Sequence, residues 1–245
     1  MTRRSLALVT AVAVGALLLA GCAEVKTPGG TKPTPVPVTE APTPATADAT
    51  GGIPVSSLGV GTVGAGDVVV SVYFDVMCPY CGLLDQINGP DLAELVAAGG
   101  VTVVYHPVSI LDAASQGTAY STRATNALAV VADQEPEHFV AFVSAILADG
   151  TQPAEGTGGL SDDQIATVAQ SVGVSKKVTD QFTGLIELDG QVLRTFEPWV
   201  VEATSMIPVQ NGKVGTPTVM IGDQQFVGNF LEAGHLRASI EAAKP

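Results

Sequence analysis

Two cysteines three residues apart, Cys78 and Cys81, carry the chemistry of this sequence. They stand in Phe74-Asp75-Val76-Met77-Cys78-Pro79-Tyr80-Cys81, where an apolar run gives way to a proline. Proline is favoured at the first position of a helix, so the pair reads as leaving a strand and opening a helix. A thiol at a helix N-terminus meets unpaired backbone N–H groups and the positive end of the dipole, and both favour its thiolate. The second thiol lies about one turn deeper, near enough to close a disulfide and more shielded. Such a pair suits thiol–disulfide exchange, in which the first thiol attacks or is attacked and the second resolves the mixed disulfide.

Two plainer uses of the pair compete. Half a structural zinc site needs two more ligands, and His106, His138 and His235 lie at no metal-ligand spacing. No metal site is therefore expected. A purely structural disulfide would close so small a ring that it constrains the unfolded chain little.

The remaining cysteine belongs to a different segment. Arg3 and Arg4 precede an uncharged, mostly apolar run from Leu6 to Ala20, which ends in Leu19-Ala20-Gly21-Cys22. The run is too short to span a bilayer and fits a signal-peptide core. Its end resembles a bacterial lipobox, in which the cysteine is lipidated, with palmitate among the acyl groups, and becomes the new N-terminus. The alternative is an ordinary signal peptide that contains a cysteine. The expected division is 1–21 signal peptide, then Cys22 as lipid attachment, with the protein on the outer face of the bacterial cell membrane, where disulfides persist. The arginine pair leaves the export route open between the general and twin-arginine pathways.

Composition narrows the rest. The chain has 245 residues, 11 Lys+Arg against 24 Asp+Glu, and a net charge of −13. Such acidity argues against binding nucleic acid or anionic lipid through the general surface. Residues 23–56 hold seven prolines and seven threonines, with no aromatic residue and no leucine. That composition predicts a semi-extended linker, with a segment wrapped on the domain as the alternative. From residue 57 to 245 the chain carries a charge of −14 and has length for one good core.

Several elements must position the cysteines. Asp67 to Asp75 is a nearly continuous β-branched run and predicts a buried central strand. Helix is expected from Pro79, broken or kinked at Gly89-Pro90, and resuming from Asp91 to Ala98. Val101 to Tyr105 is a second strand, stopped by Pro107. Residues 112–206 then change period. Ala124, Ala127, Leu128 and Val131 share a helical face, as do Phe139, Phe142, Val143 and Ile146, and Ile165, Val168, Ala169 and Val172. Ser161 with Gln164 is a capping-box pattern. Val178, Phe182 and Leu185 suggest a fourth helix. Val192, Phe196, Trp199, Val200 and Ala203 suggest a fifth, kinked at Pro198. Short strands at Thr218–Ile221 and Gln225–Val227 and a helix from Leu231 to Ala243 complete the order. Gly59-Val60-Gly61-Thr62-Val63-Gly64 matches G-x-G-x-x-G, yet no strand precedes it and no helix follows, so no dinucleotide site is expected.

These residues resemble the DsbA-like members of the thioredoxin superfamily. Phe74-Asp75-x-x-Cys78-Pro79-Tyr80-Cys81 resembles that family's active-site strand and turn. Val214-Gly215-Thr216-Pro217-Thr218-Val219 resembles its cis-proline loop. The resemblance covers about residues 57–245 and implies an α/β, thioredoxin-like fold with an inserted helical domain at about 112–206. By position it implies Cys78 as nucleophile, Cys81 as resolving cysteine, and Pro79 and Tyr80 as the residues that tune the redox potential. It places Thr216 and Pro217 opposite the cysteines, with the Thr216 backbone free to pair with an extended peptide. No cofactor is implied.

Two departures from the family pattern matter. Strong oxidants of the family carry histidine between the cysteines, and neutral Tyr80 cannot stabilise a thiolate by charge. The buried acid often found six residues before the nucleophile is replaced by Val72. Asp75 lies closer and is a candidate proton relay to Cys81, although capping of the strand end or helix is the simpler reading. The resemblance implies a thiol–disulfide oxidoreductase that oxidises cysteine pairs in exported proteins, with a membrane redox partner and as a monomer. The alternatives are a reductase or isomerase of the same fold, and a non-catalytic peptide-binding lipoprotein.

Overall fold

The structure is a computed structural model that describes residues 33–209 and 212–245. The signal segment 1–21 and Cys22 lie outside the described residues. In chain order the elements are β1 (Val36–Pro37), β2 (Ile53–Ser56), β3 (Gly59–Val60), β4 (Val68–Asp75), α1 (Pro79–Ala98), β5 (Val101–Val108), α2 (Tyr120–Gln134), α3 (Phe139–Leu147), α4 (Asp162–Ser171), α5 (Lys176–Thr179), β6 (Leu185–Leu188), β7 (Gln191–Arg194), α6 (Glu197–Ser205), β8 (Thr218–Ile221), β9 (Gln224–Gln225) and α7 (His235–Ala242). Among the described residues no helix is long and apolar enough to cross a membrane.

The main sheet has the order β3-β2-β5-β4-β8-β9. Its centre is β4, parallel to β5 from Val68↔Val101 to Asp75↔Val108, and antiparallel to β8 with Tyr73 opposite Thr218. Val70, Val72 and Phe74 are buried, as the β-branched run requires. Strand β5 continues through Pro107 instead of stopping there. Pro107 lies beyond Tyr105, the last β5 residue paired with β2, and stays in register with Phe74 of β4. An edge-like position of this kind tolerates a missing N–H.

Helix α1 ends at Ala98 as expected, but it is continuous through Gly89-Pro90, where a break or kink was expected. An interior proline costs a helix about 3 kcal/mol. Here Leu84, Leu92 and Leu95 are buried on both sides of Pro90, and buried Asn88 donates to the carbonyls of Leu84 and Phe230. Burial on this scale offsets the loss, since each fully buried leucine contributes roughly 2 kcal/mol.

The chain joins the fold earlier than its composition suggests. The linker expected over 23–56 is corrected from Pro33 onward. Strand β1 runs parallel to β6, Val38 N–H donates to Glu187, and β2 pairs with β5. Ala45 N–H and the Thr46 hydroxyl donate to Asp133 and Ala132 of α2. Strand pairing needs backbone groups more than apolar side chains, so a proline- and threonine-rich segment can dock with Ile53 in the core and Ala47 and Val55 packed against it.

In the helical block, α2, α3 and α4 bury the expected residues, with Ile165 and Ala169 inside and Val168 and Val172 only partly covered. Both halves of the Ser161–Gln164 capping box form. The fourth helix shortens to α5, and the stretch from Leu185 to Arg194 is the hairpin β6–β7. Its turn is Asp189-Gly190, both at positive φ, a two-residue hairpin signal that helical spacing obscured. Pro198 begins α6 rather than kinking it. Asp162 bridges Arg123 of α2 and Arg194 of β7, which ties these pieces together. At the C-terminal end β9 is shorter than expected, and α7 starts only after Gly234, which takes a left-handed backbone. Gly59-Val60 is strand β3, and the glycines after it turn the chain into β4, with no helix following.

Candidate active site

The site is built where β4 hands over to α1. Asp75 ends the strand with its side chain buried and folds the next residues back on itself. Its Oδ1 accepts from Met77 N–H at 2.9 Å, and its carbonyl accepts from Cys78 N–H at 3.0 Å. Val76 and Met77 are fully buried, so the turn is anchored before the cysteine is reached. Cys78 is the N-cap of α1 in an extended backbone conformation, with Pro79 in the first turn. No side chain caps this end, so its free N–H groups and dipole act on the Cys78 sulfur.

The two thiols differ sharply. Cys78 is 5 % exposed and Cys81 1 %. Hydrogen bonding from the Cys81 thiol lowers the Cys78 pKa to about 6, helped by Thr216 and the backbone of Cys81 and Tyr80 and opposed by burial. Burial, and then the neighbouring Cys78, push the Cys81 thiol well above its usual range. One thiol thus ionises near neutrality while its partner holds a proton, and both are free in this structure. Thiol–disulfide exchange proceeds through a thiolate, and this split makes Cys78 the thiol that supplies it most readily.

The second half of the site comes from the loop before β8. The Thr216–Pro217 peptide bond is cis. Because Thr218 pairs with Tyr73, the loop is delivered beside the turn after β4, and Cys78 Sγ lies 3.3 Å from the Thr216 carbonyl oxygen. The Thr218 hydroxyl closes the loop onto Gly215 at 2.8 Å. A groove of about 650 Å³ runs along Lys213, Val214, Thr216, Pro217 and Gln225. Neither cysteine lines it; the cysteines sit at its border, through Thr216. Tyr80 is 55 % exposed beside them.

Asp75 is brought to the site but does not face solvent. Oδ1 also accepts from the Ser121 hydroxyl at 2.6 Å, and Oδ2 accepts from Leu111 N–H at 2.9 Å. Burial raises its pKa to about 6 against these three donors. Sequence reading had no means of finding Ser121 or Leu111. It also missed Gln152, whose side chain donates to the carbonyls of Val76 and Cys78. Trp199 is buried in the core. His106 is fully buried and stacked on Tyr73, and burial holds its pKa near 4, so it is a neutral packing residue away from the cysteines. Among the described residues, no group of three or more His, Cys, Asp or Glu side chains is placed to hold a metal ion.

The family profile described as thioredoxin matches residues 60–242. The chain belongs to the thioredoxin family. Within that family it is built like the DsbA-type thiol–disulfide oxidoreductases. The reduced disulfide bond oxidoreductase DsbG from Mycobacterium tuberculosis superposes with a TM-score of 0.61 at 26% identity, covering 81% of this chain and 91% of that one. Oxidised DsbA from the same organism superposes with a TM-score of 0.61 at 29% identity, covering 78% and 91%. MdbA, a thiol-disulfide oxidoreductase from Actinomyces oris, shares the fold with a TM-score of 0.64 at 19% identity, covering 84% and 92%. The serine/threonine-protein kinase PknE of M. tuberculosis H37Rv is 33% identical over 106 residues, 42% of this chain. The chain spans 19% of that kinase's length. The fold class expected from the sequence, a thioredoxin-like α/β fold with an inserted helical domain, therefore stands.

Proposed function

We propose that this thioredoxin-family chain is a lipid-anchored, extracytoplasmic oxidant of cysteine pairs in exported proteins. The supporting observation is the split between the thiols, with Cys78 lowered to about 6 and Cys81 raised. A stable thiolate is a good leaving group and stabilises the dithiol form, which makes the disulfide form the better oxidant. This favours oxidation over reduction although Tyr80 supplies no charge.

In the proposed cycle a substrate thiolate attacks Sγ of Cys78 in the Cys78–Cys81 disulfide. The S–S bond breaks, Cys81 leaves with the electron pair and takes a proton, and a mixed disulfide joins substrate to Cys78. A second substrate thiolate attacks the substrate sulfur and releases Cys78 as thiolate. Two electrons have then passed from substrate to enzyme, and a quinone-linked membrane partner accepts them. Thr216 and Pro217 border the thiol and are the proposed contact for an extended substrate segment. Cys22 is the proposed lipid attachment, with residues 23–32 leading to the fold. Oxidative refolding of a reduced disulfide protein tests the cycle: Cys78→Ser should abolish the activity, and full activity in that variant would sink the proposal.

A further inference from the structure

We propose that Gln152 is a positioning residue for the redox turn, its side-chain amide holding two turn carbonyls so that the Cys78 thiolate is supported from the helical insertion. The proposal rests on Cys78 being the nucleophile.

Gln152 lies in the loop after α3, outside both cysteine-bearing segments. Its own backbone is pinned, because Thr151 N–H and Gln152 N–H both donate to the Ala148 carbonyl at 3.0 Å. The side-chain nitrogen then crosses to the turn, donating to Val76 at 3.0 Å and to Cys78 at 2.9 Å. A primary amide has two N–H donors, and these two bonds use both. The Cys78 carbonyl also receives Cys81 and Gly82 N–H, so it is a heavily used acceptor next to the reacting sulfur.

A second feature of the sequence fits this contact. Gly82, on the first turn of α1, has no left-handed backbone to explain it. A Cβ there would collide with Gln152 Oε1 and stand 3.0 Å from the Leu147 carbonyl. Glycine at this point leaves the room in which the Gln152 amide sits against the turn.

The electrostatic consequence follows from the direction of the dipoles. The carbonyl oxygens of Cys78 itself and of Val76, two residues before it, carry partial negative charge and disfavour a thiolate in the same turn. Two N–H groups aimed at them offset that charge in a water-poor setting, and also hold the peptide planes around Met77 and Cys78. With the donors removed, the thiolate should become less favourable and the disulfide less oxidising.

The test uses the full chain with Gln152→Met, which keeps length without donors, and Gln152→Glu, which adds negative charge. Ultraviolet absorbance of the thiolate against pH reads Cys78, and equilibration with glutathione reads the potential. The Cys78 thiolate-to-thiol ratio at fixed pH should fall about threefold in the first variant and about tenfold in the second. For a two-electron couple these correspond to potentials lower by about 15 and 30 mV. Gly82→Ala improves helix propensity while displacing the amide, so it should shift Cys78 the same way, without adding to Gln152→Met. It also carries the test if a Gln152 variant does not fold. Unchanged ionisation and potential in Gln152→Met and Gly82→Ala, even with a lower melting temperature, would overturn the proposal. Full exchange activity in Cys78→Ser would instead overturn the reading beneath it.

Discussion

The sulfur of Cys78 lies 3.3 Å from the backbone carbonyl of Thr216, across 138 residues of sequence. The register of β8 on β4 makes this contact, since Thr218 opposite Tyr73 leaves the preceding residues no other place to lie. The nucleophile proposed here is therefore covered by the same loop that is proposed to receive substrate.

The asymmetry of the thiols predicts selective alkylation. In the reduced protein, iodoacetamide should modify Cys78 with a pH midpoint near 6, while Cys81 stays unmodified through neutral pH. Mass spectrometry of peptides trapped across pH 4 to 9, a range chosen to bracket about three units below the usual thiol value, reads both sites. Equal modification of the two cysteines would contradict the proposed roles.

The same shift predicts how stability depends on pH. Cys78 is depressed in the folded state, so its contribution is absent below about pH 6 and grows as the pH rises towards the unfolded thiol's 9.0. The reduced protein should gain on the oxidised protein between these values, because the disulfide has no thiol to titrate. Denaturant midpoints of both forms at several pH values give the comparison, and a reduced form that loses ground to the oxidised form as the pH rises from 6 to 9 would count against it.

Asp75 holds three donors away from water, two of them backbone N–H groups. Asp75→Ala should strand them and cost on the order of 3 kcal/mol in unfolding experiments. If Asp75 also passes protons to Cys81, Asp75→Asn should slow formation of the mixed disulfide below pH 6, where Asp75 holds a proton to give, more than it lowers stability. Stopped-flow mixing separates the two effects.

Ile53 tests whether the segment before residue 57 belongs to the fold. It is fully buried in β2, and Ile53→Ala should lower stability by about 2–4 kcal/mol. A passive linker would show no loss at all.

The proposed lipid attachment at Cys22 has its own readout. Cells expressing Cys22→Ala should fail to incorporate labelled palmitate into the protein and should release it from the membrane fraction. Labelling that persists in this variant would rule out Cys22 as the site.

Local rules carried a good part of the reading. The strand before Cys78, the helix after Pro79, the three amphipathic helices and the Ser161 cap follow from side-chain spacing and from which backbone groups a helix end leaves unpaired. The class of chemistry follows too, because a thiol at a helix N-terminus is activated by groups within its own turn. The hairpin at Asp189-Gly190 was also written in the chain, but a helical pattern on either side masked it.

Tertiary structure decided what no local rule reaches. Whether Pro90 breaks α1 depended on burial of Leu84, Leu92 and Leu95 against other elements. Docking of residues 33–56 depended on free strand edges at β5 and β6. Asp75 is partnered from Leu111 and Ser121, and Cys78 from Thr216 and Gln152, all distant in sequence. Sequence determined which atoms can react and that the first would be the more acidic. The fold determined the size of that acidity and its neighbours, because desolvation and cross-chain hydrogen bonds exist only once separate segments have packed together.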